Sequence, residues 1–106
     1  MFEFLKLKTP KQQAEYNKEK IINKNVKNII KAYDEIISNM IEKGVTYENY
    51  KISSLSYKYE VNYFREESTE KALLELRKIY FKSQVDFLIT WTGCENGYIG
   101  ISVKFI

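Results

Sequence analysis

The sequence predicts an α+β fold. It combines a small, mainly antiparallel sheet in the order β-α-β-α-β-β with a long N-terminal helix and a shorter second helix packed on one face. Three observations carry this prediction. A helix start at Thr9-Pro10 is followed by no proline or glycine until Gly44. Residues 55–64 alternate apolar and polar side chains. Two further alternating runs flank an Asn-Gly pair near the C-terminal end. A chain of 106 residues fits one domain, 1–106, whose folding hides about 65% of the unfolded surface.

Residues 2–8, FEFLKLK, read as a short strand. Thr9 is placed to be an N-cap, Pro10 sits at the first helical position, and Gln12 can close a capping box. Gly44 suits the left-handed position after a helix end, so the helix spans about 10–43. Within it, Ile22, Val26, Ile29, Tyr33, Ile36 and Met40 repeat with heptad spacing, and Ile30, Ile37 and Ile41 widen the seam into a broad face. A straight helix of this length spans about 51 Å, against about 34 Å for a compact domain of this size. It must therefore protrude, bend or pair with a second copy. Asn17, Asn23 and Asn25 are weak helix formers and mark the expected bends. The width of the seam favours an intramolecular stripe laid over the sheet, and its spacing also permits a homodimer through the long helix.

Residues 45–54 read as a loop or irregular strand. In the strand at 55–64, Leu55, Tyr57, Tyr59, Val61 and Tyr63 share one face. Ser68 or Thr69 can cap a second helix over about 69–82, with Ala72, Leu73, Leu76 and Tyr80 inward. Residues 85–106 read as a hairpin. A two-residue Asn96-Gly97 turn would set Trp91 against Ser102. A three-residue loop, Glu95-Asn96-Gly97, sets Trp91 against Ile101, Ile89 against Val103 and Phe87 against Phe105. The apolar match selects the second, with Gly97 left-handed.

Composition narrows function by exclusion. Histidine is absent and Cys94 is the single cysteine, which removes Ser-His-Asp and Cys-His nucleophile systems, Cys/His zinc sites and internal disulfides. There is no P-loop and no GxGxxG. Glu95 beside Cys94 has the wrong sign to activate a thiol. Glu66, Glu67 and Glu70 sit where a helix start favours negative charge, while Asp34 and Glu35 lie on the outer side of the long helix. No catalytic residue, cofactor or metal is expected. A carboxylate- or metal-dependent enzyme would need acidic side chains converging on one pocket, which the periodicity does not show.

No apolar run approaches the roughly 18 residues of a membrane span, and MFEFLKLKTPKQQ lacks the features of a signal peptide. The expectation is a cytoplasmic protein with no membrane contact. Abundant Lys, Asn, Ile, Tyr and Phe suit an AT-rich genome, such as a low-GC bacterium or its phage. The charge is uneven: residues 1–31 hold eight Lys and three Glu, for +5, and the rest hold nine basic and eleven acidic groups, for −2.

Two surfaces stand out. Tyr47, Tyr50 and Tyr98 have no core pattern, and with Glu48 and Glu95 as polar rim they form a candidate protein-binding set. Lys20, Lys24, Lys27 and Lys31 form one stripe opposite the apolar seam, a candidate row of phosphate contacts. The reading that follows is a small non-catalytic protein acting by contact with a host protein, such as a phage or mobile-element regulator or inhibitor. Nucleic-acid binding through the lysine stripe is the alternative.

Overall fold

The computed structural model describes residues 9–55, 57–91 and 99–106. The strand expected at 2–8 and the hairpin tip with Gly97 lie outside them. Among the described residues seven elements follow in order: α1 (Pro10–Lys43), β1 (Tyr47–Lys51), two short 3-10 turns (Ile52–Ser54 and Tyr57–Tyr59), α2 (Arg65–Ile79), β2 (Val85–Trp91) and β3 (Ile99–Phe105). The three strands form an antiparallel sheet in the order β1-β3-β2.

α1 begins and ends as its sequence dictates. The Gln12 amide N–H donates to Thr9 Oγ1 at 3.2 Å, and the Thr9 N–H donates to Gln12 Oε1 at 3.1 Å. At the other end Gly44 is left-handed (φ 71°), and Val45 N–H donates to the Met40 carbonyl. The helix is unbroken over 34 residues, in a molecule with extents of 54 × 34 × 23 Å. The first buried side chain is Ile22, so the helix resolves its excess length by protruding.

The asparagines do not interrupt it. Asn25 is buried, and its Nδ2 donates to the Tyr63 carbonyl at 2.8 Å and to Ser68 Oγ at 3.2 Å. It pins α1 to the start of α2. The heptad seam is consumed within one copy. Ile22, Ile29, Tyr33, Ile36 and Met40 are buried, most of them in a common core with Leu73 and Leu76 of α2 and Phe87, Ile101 and Val103 of the sheet. A homodimer would need another surface. Ile41 departs from expectation: it is 67% exposed.

The strand expected at 55–64 is not formed. β3 has β1 on one side and β2 on the other, and this segment adds to neither outer edge of the sheet. It runs instead along α1, where side chains satisfy its carbonyls. Asn28 Nδ2 donates to Glu60, Asn25 Nδ2 to Tyr63, and Arg65 Nε to Val61. Tyr59 and Val61 are buried and Tyr63 is not. The strand paired with β3 lies earlier, at Tyr47–Lys51, within the stretch expected as a loop or irregular strand.

α2 also starts earlier than expected. Phe64, left-handed at φ 55°, leads into it. Ser68 and Thr69 lie inside its first turns, fully buried. Their hydroxyls donate to the carbonyls four residues back, Phe64 and Arg65, each at 2.6 Å, so neither caps the helix.

The β2–β3 register pairs Val85 with Phe105, Phe87 with Val103, Ile89 with Ile101 and Trp91 with Ile99. This is two residues away from the expected register. A two-residue shift keeps every side chain on its face, so apolar still meets apolar. The observed register also gains the Val85–Phe105 pair, which the expected one lacks. Both helices cover the face holding Phe87, Ile101 and Val103. The other face carries Tyr47, Asn49 and Lys51 of β1 with Leu88 and Lys104.

Candidate functional site

β1 separates the expected tyrosine set. Alternation along the strand leaves Tyr47 exposed on the open sheet face, while Glu48 and Tyr50 turn half-buried towards the helices. Burial and the neighbouring Glu48 carboxylate push the Tyr50 phenol pKa up. Glu95 and Tyr98 lie outside the described residues. The pleat therefore places Tyr47 on the opposite side from Glu48 and Tyr50, and these three do not make one contact surface.

The lysine stripe is where the periodicity puts it. Lys20, Lys24, Lys27 and Lys31 are all exposed along the back of α1. Lys20 Nζ lies 4.8 Å from the centre of the Tyr16 ring. Lys24, Lys27 and Lys31 form no ion pair among the described residues.

The carboxylates of α1 hold neighbouring segments. Glu35 Oε1 accepts from Tyr59 Oη at 2.7 Å and from Lys58 Nζ at 3.1 Å. The Tyr59 hydroxyl, then the Lys58 ammonium, hold the Glu35 carboxyl below its ordinary range. Asp34 Oδ1 accepts from Tyr80 Oη at 2.5 Å. Burial, then that bond, raises the Tyr80 phenol pKa. Among the described residues no three acidic or thiol side chains converge as a metal site, and no helix is long and apolar enough to cross a membrane.

Glu35 gives a pH prediction with a definite sign. Its folded pKa lies below the unfolded value near 4.5, so its contribution is complete above that value and lost as pH falls through the folded pKa. Wild type should be more stable than Glu35→Gln at neutral pH, with the gap closing as pH drops below about 4.5. Urea midpoints of both proteins between pH 2 and 7 would check this, and a gap independent of pH would refute it.

The feature that periodicity did not reveal lies at the C-terminal end of α1. Six apolar or aromatic residues, Ile37, Ile41, Tyr80, Val85, Phe105 and Ile106, line a hollow of about 400 Å³ together with the polar Ser83 and Gln84. Local bonds build it. Tyr80 is anchored by Asp34, and the Ile106 N–H donates to the Gln84 carbonyl at 2.9 Å. Gln84 is left-handed (φ 55°), turning the chain into β2. Of the lining residues, Ile41 and Ile106 are 67% and 78% exposed, and Phe81, next in the chain to the lining Tyr80, is 80% exposed. The available signal was Phe81 itself, an aromatic beyond Tyr80, the last inward residue of the second helix.

Comparison with family models, curated proteins and solved structures returns no match for this chain.

Proposed function

We propose that this chain is a binding protein acting by protein–protein contact, with the hollow lined by Ile41 and Ile106, and the exposed Phe81 next in the chain to its Tyr80, as its contact surface. The observation that supports this reading is clustering. Large apolar side chains scattered singly over a surface are ordinary, but two highly exposed ones lining one hollow, with a third, Phe81, next in the chain to its Tyr80, are not. Burying each would contribute about 1.5–3 kcal/mol. Phe81 has the character of an anchor residue, and the half-buried Tyr80 and Phe105 beside the hollow offer aromatic surface to a partner. Lys43 at the end of α1 and Lys82 after Phe81 supply exposed charge for a polar rim.

The test compares wild type with the double variant Ile41→Asp/Phe81→Asp. Both positions are exposed, so the urea midpoint should stay close to wild type. Cross-linked capture from host extract should recover a defined partner with wild type and lose it with the variant. Equal capture by a normally folded variant would refute this surface.

A further inference from the structure

α1 and α2 lie side by side and leave a second groove, of about 590 Å³, on the side of the molecule that carries the lysines. It is independent of the apolar hollow and uses none of its residues. Its floor is Val26 and Ile30 of α1 and Leu74 of α2. Leu74 is 57% exposed, on the helix face opposite the buried Ala72, Leu73 and Leu76 side. Its walls carry Lys27, Lys71 and Lys78 with Asn23 and one carboxylate, Glu75, so cations outnumber anions three to one. Lys27 and Lys71 form no ion pair among the described residues, and Lys78 has an exposed one to Glu75 at 3.4 Å. Lys20, Lys24 and Lys31 continue the positive charge along α1.

An apolar strip between cationic walls identifies its occupant by complementarity. We propose that this groove docks an acidic amphipathic helix of a protein partner. The lining residues span 23–30 on α1 and 71–78 on α2, each about 10.5 Å of helix, so the strip meets two turns of the incoming helix. Apolar residues at i, i+3 or i+4, and i+7 of that helix would lie on Val26, Ile30 and Leu74, and flanking Asp or Glu would meet Lys27 and Lys71. A nucleic-acid backbone has no apolar stripe for the floor. The cations are also all lysines, without the bidentate arginines that favour base reading.

Fluorescence anisotropy decides the case with three labelled probes. The first is a synthetic amphipathic peptide with Leu at i, i+3, i+4 and i+7 and Glu on its remaining face. The second is its scrambled isomer, and the third a short DNA duplex. The amphipathic peptide should bind at about micromolar affinity, and the isomer about tenfold more weakly. Leu74→Glu and Lys71→Glu should each weaken the peptide about tenfold. The Ile41→Asp/Phe81→Asp protein should bind it as wild type does, which separates failure here from failure at the hollow. Equal binding of both peptides, or no binding, overturns the proposal. Tighter binding of DNA, with a log–log salt slope near −3.6 for four phosphate contacts, also overturns it and makes the lysines a nucleic-acid surface.

Discussion

Tyr33→Ala should remove about 3–5 kcal/mol, a large share of the total of about 5–15 kcal/mol expected for a domain of this kind. The ring is fully buried at the centre of the core, between both helices and the sheet. The hydroxyl reaches into the β1–β3 ladder. It donates to the Ile101 carbonyl at 3.0 Å, lies 3.4 Å from the Tyr50 carbonyl, and accepts from the Ile101 N–H at 3.2 Å. Tyr33→Phe isolates this part. It keeps the packing and leaves buried backbone groups short of a partner, so it should cost about 1–3 kcal/mol. Urea unfolding of the three proteins measures both numbers, and a Tyr33→Phe value near zero would mean that the ladder does not need the hydroxyl.

The same residue fixes the alkaline limb of stability. Burial raises the Tyr33 phenol pKa well above its ordinary value of 10.0. Above pH 10 the unfolded chain loses that proton while the folded chain keeps it, so stability falls as pH rises, by about 1.4 kcal/mol per pH unit for one group. Tyr80 shifts in the same direction. Tyr33→Phe should therefore show a shallower decline above pH 10 than wild type.

Gly100→Ala should destabilise by about 1–3 kcal/mol, and Gly100→Val by more. Gly100 is in the central strand, opposite Lys51 on one side and Thr90 on the other. A Cβ there would run into the Tyr50 carbonyl oxygen and lie 3.2 Å from Thr90 Oγ1. The obstruction is backbone, which cannot rotate away as a side-chain tip can. The expected response is a displaced β1 edge, visible as faster amide exchange at Tyr47–Lys51 together with a lower urea midpoint. An alanine variant with unchanged midpoint would contradict the tight β1–β3 spacing.

The parts of the fold legible in the sequence are those set by local chemistry. Thr9, Pro10, Gln12 and Gly44 mark both ends of α1, because capping depends on residues within one turn of each end. The hairpin faces are legible because alternation sets them. The offset is not, since a two-residue shift leaves the pattern intact. Period-two alternation misled at 55–64, where contact with the side of α1 buries Tyr59 and Val61 without a ladder. Ser68 and Thr69 resemble caps in sequence, but their hydroxyls bond back along a helix already begun at Arg65. The site was less legible. The lysine stripe follows from helical period alone, whereas its groove needs Lys71, Leu74 and Lys78 from another helix. The hollow combines the end of α1, the turn after α2 and the end of β3. No single period links these residues, and Ile41 was assigned to the core because it extends the seam.

The central claim is that the hollow lined by Ile41 and Ile106, with Phe81 next in the chain to its Tyr80, is where a partner binds. Its most direct measurement is site-specific photo-cross-linking in host extract, with a benzophenone amino acid at position 81 or at position 63. Tyr63 is a matched control, 73% exposed. Its backbone is docked at Asn25, about 24 Å along α1 from Ile41. The account predicts a discrete cross-linked protein from position 81 that is absent from position 63 and lost with Ile41→Asp. A cross-link from position 63 with none from position 81 would contradict it.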